Sequence, residues 1–181
     1  MLLQPTQSLL LVIDVQGRLA PHIHQASQVV NTCQWLMEIA REIQVPVRAT
    51  EQYPQGLGAT LSPLKRLLND DEILQKMHFS ALREEHIKNH LADLGRKQVV
   101  LVGTETHVCC LQTAADLLEH GYQVFLVEEG LGSRRADDKN LALARLQAAG
   151  AQLVSKEMVA CEWLEKAGTD LFRKISKGWL V

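Results

Sequence analysis

Two short apolar runs without polar alternation constrain the fold more than any other feature of this sequence. One run covers Ser8–Ile13 (SLLLVI) and the other covers residues 99–102 (VVLV). A strand that faces water on one side alternates apolar and polar residues, whereas a parallel strand covered on both faces does not. The two runs therefore predict central strands of a parallel sheet with helices on both faces.

Segments with the pattern of a strand alternate along the chain with segments of helical periodicity. Over residues 25–44, for example, Val29, Cys33, Leu36 and Ala40 recur at three- and four-residue steps. This alternation predicts a doubly wound, Rossmann-like fold, which is a three-layer α/β/α sandwich around a six-stranded parallel sheet. The strands are predicted at residues 8–13, 46–50, 72–76, 99–102, 123–127 and 151–154, and the helices at residues 25–44, 61–68, 80–94, 108–122, 137–149 and parts of 156–181.

Length and composition predict a single domain over residues 1–181. With 181 residues, 46% of them hydrophobic, the chain is long enough for one buried core and short for two independent domains. A net charge of −2 leaves no basic surface for nucleic acid, and no apolar run approaches the roughly 18 residues that a membrane span needs. We see no secretory leader, and four cysteines without a CxxC spacing fit a reducing cytoplasm. No cofactor is expected.

A predicted strand, a polar turn and a predicted helix follow one another within residues 99–118. Gly103 ends the strand, and Thr106 is a suitable N-cap for a helix with apolar spacing from residue 108 onward. Cys109 would then lie in the first helical turn, where free N–H groups and the helix dipole favour a thiolate. Cys110 shares its helix face with apolar residues and Cys109 with polar ones, so we predict that Cys109 is a nucleophile. The alternative is that both cysteines are inert core residues.

Two charged residues, Asp14 and Lys76, follow predicted strands at their carboxyl ends. Because ligands bind beyond the carboxyl ends of parallel strands, we expect both to converge with Cys109 at one edge of the sheet. A carboxylate can take the thiol proton, and an adjacent ammonium can stabilise the ionised pair. N–H groups of the turn at Thr104, Glu105 and Cys109 would bind the oxyanion, giving a thioester acyl-enzyme that water hydrolyses. Alternatively, Asp14 caps a loop and Lys76 is merely solvated.

Four further residues are predicted to line a pocket for a small-molecule substrate. These residues are Gln16, Tyr53, Phe79 and His107, all in or near segments that follow predicted strands. His107 is a poor base for Cys109, because helical residues two apart do not face each other. His22 and His24 alone are too few for a zinc site, so we predict no metal.

With these motifs, the sequence resembles the isochorismatase-like cysteine hydrolase superfamily over about residues 6–160, and within it the branch of isochorismatase-domain-containing proteins. The resemblance rests on three segments of the chain. They are Asp14-Val15-Gln16 after the first strand, Lys76 followed by Phe79-Ser80-Ala81, and Gly103-Thr104-Glu105-Thr106-His107-Val108-Cys109.

The resemblance implies a catalytic triad of Asp14, Lys76 and Cys109, a six-stranded parallel sheet and a non-proline cis peptide between Thr104 and Glu105. It also implies a homo-oligomer, which the apolar end Gly178-Trp179-Leu180-Val181 would favour. The chain departs from the nicotinamidases of the superfamily, because residues 50–54 (TEQYP) lack the Asp-x-His metal segment. We therefore predict metal-independent hydrolysis of a C–N bond in a small amide. Two alternatives are a scaffold protein with a vestigial triad and a thiol-redox protein that uses Cys109 and Cys110.

Overall fold

A six-stranded, fully parallel sheet organises the computed structural model, which describes residues 1–180. The strands lie in the order β3-β2-β1-β4-β5-β6. Their bounds are β1 Ser8–Ile13, β2 Val47–Gln52, β3 Ile73–Lys76, β4 Gln98–Thr104, β5 Gln123–Gly132 and β6 Gln152–Val154. The order reverses between the central strands β1 and β4, which is where doubly wound sheets place their ligand crevice.

Helices cover both faces of the sheet. They are α1 Ala26–Ile43, α2 Pro54–Leu57, α3 Ser62–Lys65, α4 Glu85–Asp93, α5 Leu111–Glu119, α6 Ala136–Ala148, α7 Lys156–Leu164 and α8 Asp170–Ile175. Apolar residues of α1, α3, α7 and α8 form one core, and those of α4, α5 and α6 form the other. Within β1, Leu10 and Val12 enter the first core while Leu9, Leu11 and Ile13 enter the second. The predicted sandwich is thus confirmed, and burial on both faces explains why the strand lacks alternation.

Close contact between β1 and β4 depends on Gly103. Its φ of 131° is one that side chains with a Cβ rarely adopt, and an added Cβ would lie 2.1 Å from the Ile13 carbonyl oxygen. The register of β4 against β5 also shifts between Leu101 and Gly103. This irregularity lets the second half of β5, which we had not predicted as strand, pair with Gly103 and Thr104.

The carboxyl-terminal tail folds back on its own chain. Trp179 donates its indole N–H to Glu38 at 2.9 Å, and its carbonyl oxygen accepts from the Trp35 indole at 3.0 Å. Trp179 and Leu180 pack against the core on the α1 side of the sheet. The tail is therefore covered in part without a second copy, although Val181 lies outside the described residues. None of the helices in residues 1–180 combines the length and apolar character that crossing a membrane requires.

Candidate active site

Asp14 and Lys76 form a fully buried ion pair at the carboxyl edge of the sheet. Lys76 Nζ lies 2.8 Å from Asp14 Oδ2, and neither side chain is exposed to solvent. Asp14 directly follows β1 in a left-handed conformation, with a φ of 50°, which Asp tolerates better than most residues. Its other oxygen, Oδ1, accepts a hydrogen bond from the Thr50 hydroxyl at 2.7 Å. The carboxylate is therefore held by β2 as well as by β3.

Lys76, the last residue of β3, has further acceptors around its ammonium group. Nζ donates to Gln52 Oε1 at 2.6 Å and to the carbonyl oxygens of Phe79 at 2.9 Å and His78 at 3.3 Å. Burying an ion pair is costly unless its remaining hydrogen bonds are made. Here the segment that follows β3 turns back to provide them, so the cation is fixed in place.

Cys109 lies in the wide helical turn Thr106–Cys110 that precedes α5, and only 4% of the residue is exposed. Its thiol lies close enough to Asp14 and Lys76 for both of their charges to act on its pKa. Burial raises the pKa of the Cys109 thiol well above its usual range, the negative charge of Asp14 raises it further, and Lys76 opposes both. At neutral pH these effects favour the protonated thiol over the thiolate.

Cys110 follows Cys109 in the same turn. The residue is fully buried, and its thiol contacts the Thr104 carbonyl oxygen at 3.2 Å. Burial raises its pKa as well. The helical phase of the sequence thus separates the two cysteines: Cys109 contacts Asp14 and Lys76, whereas Cys110 packs into the core.

The turn before Cys109 differs from the predicted one in two respects. Glu105, not Thr106, occupies the cap position, with a left-handed φ of 57°. No peptide bond in residues 1–180 is cis, so the cis bond expected between Thr104 and Glu105 is wrong; the left-handed residue turns the chain instead. The Glu105 carbonyl accepts from the N–H groups of Val108 at 2.9 Å and Cys110 at 3.3 Å. Within the described chain the N–H of Cys109 makes no hydrogen bond to a backbone acceptor outside its own turn. The first N–H groups of a helical turn are the ones available to bind an oxyanion.

A cleft of about 630 Å³ opens onto Cys109. Its wall is apolar in part, and it carries the charged residues Arg18, Glu105 and Arg134. The lining residues are Arg18, Leu19, His22, Gln52, Leu57, Phe79, Glu105, Val108, Cys109 and Arg134. The volume fits a small molecule rather than a polymer segment.

Of the four pocket residues predicted from sequence, the structure places only Phe79 in this cleft. Gln16 is fully buried, and its side chain binds the backbone of Gln52 and Gly58, which ties β1 to the loop after β2. Tyr53 is half-exposed beside Gly56.

His107 likewise lies outside the lining of the cleft. Its Nδ1 is 3.0 Å from the Ser133 hydroxyl, and its Nε2 is 3.6 Å from Glu105 Oε2. His107 itself belongs to the turn that contains Cys109. It connects that turn to the segment that follows β5.

Sequence reasoning missed most of the residues that shape the cleft. Gln52 could have been found, because it ends β2 at the same edge of the sheet as Asp14 and Lys76. Arg18, Leu57 and Arg134 come from three separate segments, and no spacing in the sequence links them. Among residues 1–180 no three His, Cys, Asp or Glu side chains are grouped closely enough to hold a metal ion.

Comparison with known proteins identifies the family. The model of the isochorismatase domain matches residues 8–158. Isochorismatase family protein 1A of Dictyostelium discoideum is 34% identical over 179 residues, which cover 96% of this chain and 86% of that protein. Isochorismatase domain-containing protein 2A of Mus musculus is 36% identical over 179 residues, covering 96% and 82%.

Solved structures share the same architecture. MAR1 ribonuclease from Caenorhabditis elegans superimposes with a TM-score of 0.92 at 34% identity, over 100% of this chain and 93% of that one. YcaC from Pseudomonas aeruginosa, solved with hexane-2,5-diol and covalent acrylamide, gives 0.91 at 26% identity over 99% and 92%. The YcaC gene product of Escherichia coli, described as an octameric hydrolase of unknown specificity, gives 0.88 at 25% identity over 92% and 83%. The chain therefore belongs to the isochorismatase family, within a superfamily of hydrolases.

Proposed function

We propose that this protein is a metal-independent cysteine hydrolase that cleaves the C–N bond of a small amide. The observation that carries the proposal is the buried Asp14–Lys76 pair, 2.8 Å apart, in contact with a cysteine that opens onto a cleft of about 630 Å³. A fully buried ion pair beside a nucleophilic side chain, in a cleft, is a typical arrangement of a catalytic site.

Acylation begins with proton transfer. Asp14 takes the proton from the neutral Cys109 thiol as the sulfur attacks the carbonyl carbon of the substrate. The carbonyl electron pair moves to oxygen, and N–H groups of the turn at Cys109 stabilise the resulting oxyanion. When the tetrahedral intermediate collapses, protonated Asp14 returns the proton to the departing nitrogen. The products of this half-reaction are an amine and a thioester on Cys109.

Deacylation uses the same groups in reverse. Asp14 accepts a proton from water, the hydroxide adds to the thioester carbonyl, and the C–S bond breaks. The proton passes back from Asp14 to the departing sulfur, which restores the neutral thiol and releases a carboxylic acid. Lys76 holds Asp14 in place throughout, because its ammonium has the carbonyl oxygen of Phe79 and Gln52 Oε1 as further fixed acceptors.

The proposal is tested by incubating the purified protein with a panel of small primary and secondary amides and measuring amine release. We expect turnover of at least one amide by the native protein, and its loss in Cys109→Ala. Turnover should also fall by about 10²-fold or more in Asp14→Asn, which lacks the general base. Chelator-treated protein should keep its rate. Amide turnover that survives Cys109→Ala, or that needs an added metal, would refute the mechanism.

Three other functions are weaker but testable in the same preparation. A scaffold protein with a vestigial triad would turn over no amide. A thiol-redox protein would form a bond between Cys109 and Cys110, but adjacent residues of a helical turn are poorly placed to bridge each other, and all four cysteines are free. Because the Caenorhabditis elegans neighbour is called a ribonuclease, RNA belongs in the panel as well. RNA cleavage that depends on Cys109 would favour that activity instead.

We also infer that the chain is one hydrolase domain that forms a homo-oligomer in the cytoplasm. The octameric Escherichia coli neighbour supports association, and the four free cysteines suit a reducing compartment. Light scattering at micromolar concentrations tests the association: a monomeric mass throughout would contradict it.

A further inference from the structure

Glu105 places a second carboxylate in the wall of the cleft that contains Cys109. Only 6% of the residue is exposed. Asp14 is paired with Lys76, and Glu105 is the acidic residue that lines the cleft itself. The proposed mechanism gives this carboxylate no part.

The partners of Glu105 leave one of its oxygens without a hydrogen bond. Arg134 Nε lies 3.1 Å from Oε1 and Nη2 lies 3.5 Å from Oε2, but the approach to Oε1 lacks the alignment of a hydrogen bond. The Arg134 side chain is 59% exposed, so it covers Glu105 from the solvent side. His107 contacts Oε2 at 3.6 Å. A buried carboxylate with an incomplete set of donors is costly, and an N–H group that binds in the cleft, at the exposed 8% of this side chain, would stabilise it.

The position of this carboxylate is set by the catalytic turn itself. Glu105 has a left-handed backbone, and its carbonyl oxygen accepts the N–H groups of Val108 and Cys110, on either side of Cys109. The carboxylate and the thiol therefore belong to one rigid turn. Because the Glu105 carboxylate is fixed in this turn, it needs little reorganisation to bind a ligand that presents a hydrogen-bond donor, and it discriminates against a ligand that lacks one.

We propose that Glu105 selects substrates that present N–H donors beside the reacting carbonyl, such as a primary amide or a ureido group. This inference rests on the proposed function and names its substrate class. An ester of the same shape lacks the donor and leaves the carboxylate one hydrogen bond short. An ionised acidic group at the same place has no N–H to donate either.

Two Michael acceptors of similar shape test the proposal without knowledge of the substrate. Acrylamide carries an NH₂ group where methyl acrylate carries a methoxy group. With either probe, the Cys109 sulfur bonds to the β-carbon, the π electrons move to the α-carbon, and the thiol proton ends on that carbon. The rates of alkylation are measured by intact mass in a Cys161→Ser background, because Cys161 is exposed whereas Cys33 and Cys110 are fully buried.

The expected result is a change in selectivity. In Glu105→Gln the ratio of the acrylamide rate to the methyl acrylate rate should fall about tenfold, the scale of one hydrogen bond to a charged acceptor. Glu105→Asp, which keeps the charge, should retain more of the ratio. The matched control is Glu128→Gln, a half-exposed carboxylate paired with Lys139 outside the cleft, which should leave the ratio unchanged. An unchanged ratio in folded Glu105→Gln, or equal slowing of both probes, would overturn the proposal.

A measurement on the unsubstituted cleft covers the case in which Glu105→Gln does not fold. The same ratio is determined for glutathione, which reports the intrinsic reactivity of the two probes. The ratio of the acrylamide rate to the methyl acrylate rate for the protein, divided by the same ratio for glutathione, should exceed one. A value of one or below would overturn the proposal. Alkylation needs no turnover, so failure of the amide panel and failure of this selectivity are separate results.

Discussion

Removing the Lys76 ammonium should destabilise the fold more than removing the charges of both Lys76 and Asp14. Lys76→Met leaves the Asp14 carboxylate fully buried without its cation, and breaking a buried pair in this way costs about 3–5 kcal/mol. Asp14→Asn should be milder, because the ammonium keeps Gln52 Oε1 and the Phe79 carbonyl oxygen as acceptors. Asn also tolerates the left-handed conformation at position 14 and can accept the Thr50 hydroxyl.

The decisive variant is the double substitution. Asp14→Asn with Lys76→Met contains no buried charge at the site, so the account predicts that it is more stable than Lys76→Met alone. A second substitution that restores stability is the signature of a coupled pair. The free energy of unfolding is measured by urea denaturation at pH 7, with the slopes compared to establish that all variants unfold in the same manner.

The reasoning would be refuted by either of two results. One is a cost of under about 1 kcal/mol for Lys76→Met, which is the usual limit for an exposed ion pair and would show that the buried pair contributes no more than a surface pair. A double variant that is less stable than Lys76→Met would show that the two residues contribute independently. If Lys76→Met does not fold at all, folding of the double variant is itself the predicted outcome.

Three further predictions follow from particular contacts. The Asp14 charge raises the pKa of the Cys109 thiol, so in Asp14→Asn the pH dependence of acrylamide alkylation at Cys109 should move to lower pH; a shift to higher pH would contradict the assigned contact. Hydrogen bonds from the His78 and Met77 N–H groups lower the pKa of Glu84 from 4.5 to about 2, so its ionised form stabilises the fold above the unfolded-state pKa. Glu84→Gln should therefore be less stable than wild type in urea at pH 7, with the difference shrinking as the pH falls from 4.5 towards 2, and a difference independent of pH would count against this. Gly103→Ala should lower the free energy of unfolding by about 2 kcal/mol or more, because the added Cβ both strains the backbone at this φ and overlaps the Ile13 carbonyl oxygen. Unchanged stability in urea would mean that β1 and β4 can separate at no cost.

Sequence reasoning succeeded where local pattern decides structure. The bounds of β1 were predicted as observed, because a buried strand needs a continuous apolar run and the turn residues on either side end it. Asp14, Lys76 and Cys109 could be brought together because each lies at, or a few residues beyond, the carboxyl end of a parallel strand, and the fold places all such positions at one edge. The helical phase also separated Cys109 from Cys110.

Sequence reasoning failed where remote segments meet. Gln16 has the polarity of a pocket residue, yet its amide is used entirely to join β1 to the loop after β2. Tyr53 follows β2 as predicted but lies beside Gly56 rather than in the cleft. Arg134 enters the cleft because β5 continues to Gly132, and that extension depends on the shift of register against β4. No periodicity in residues 123–134 indicates such a shift.

The most direct test of the account uses p-nitrophenyl acetate as an activated acyl donor. The protein should release one equivalent of nitrophenol rapidly, and peptide mass spectrometry of quenched samples should find the acetyl group on Cys109. That acetyl group should disappear with time as water hydrolyses the thioester, and Cys109→Ala should show neither the burst nor the adduct. An acetyl group found on another residue, or one that persists on Cys109 without hydrolysis, would contradict the proposal that this chain is a cysteine hydrolase.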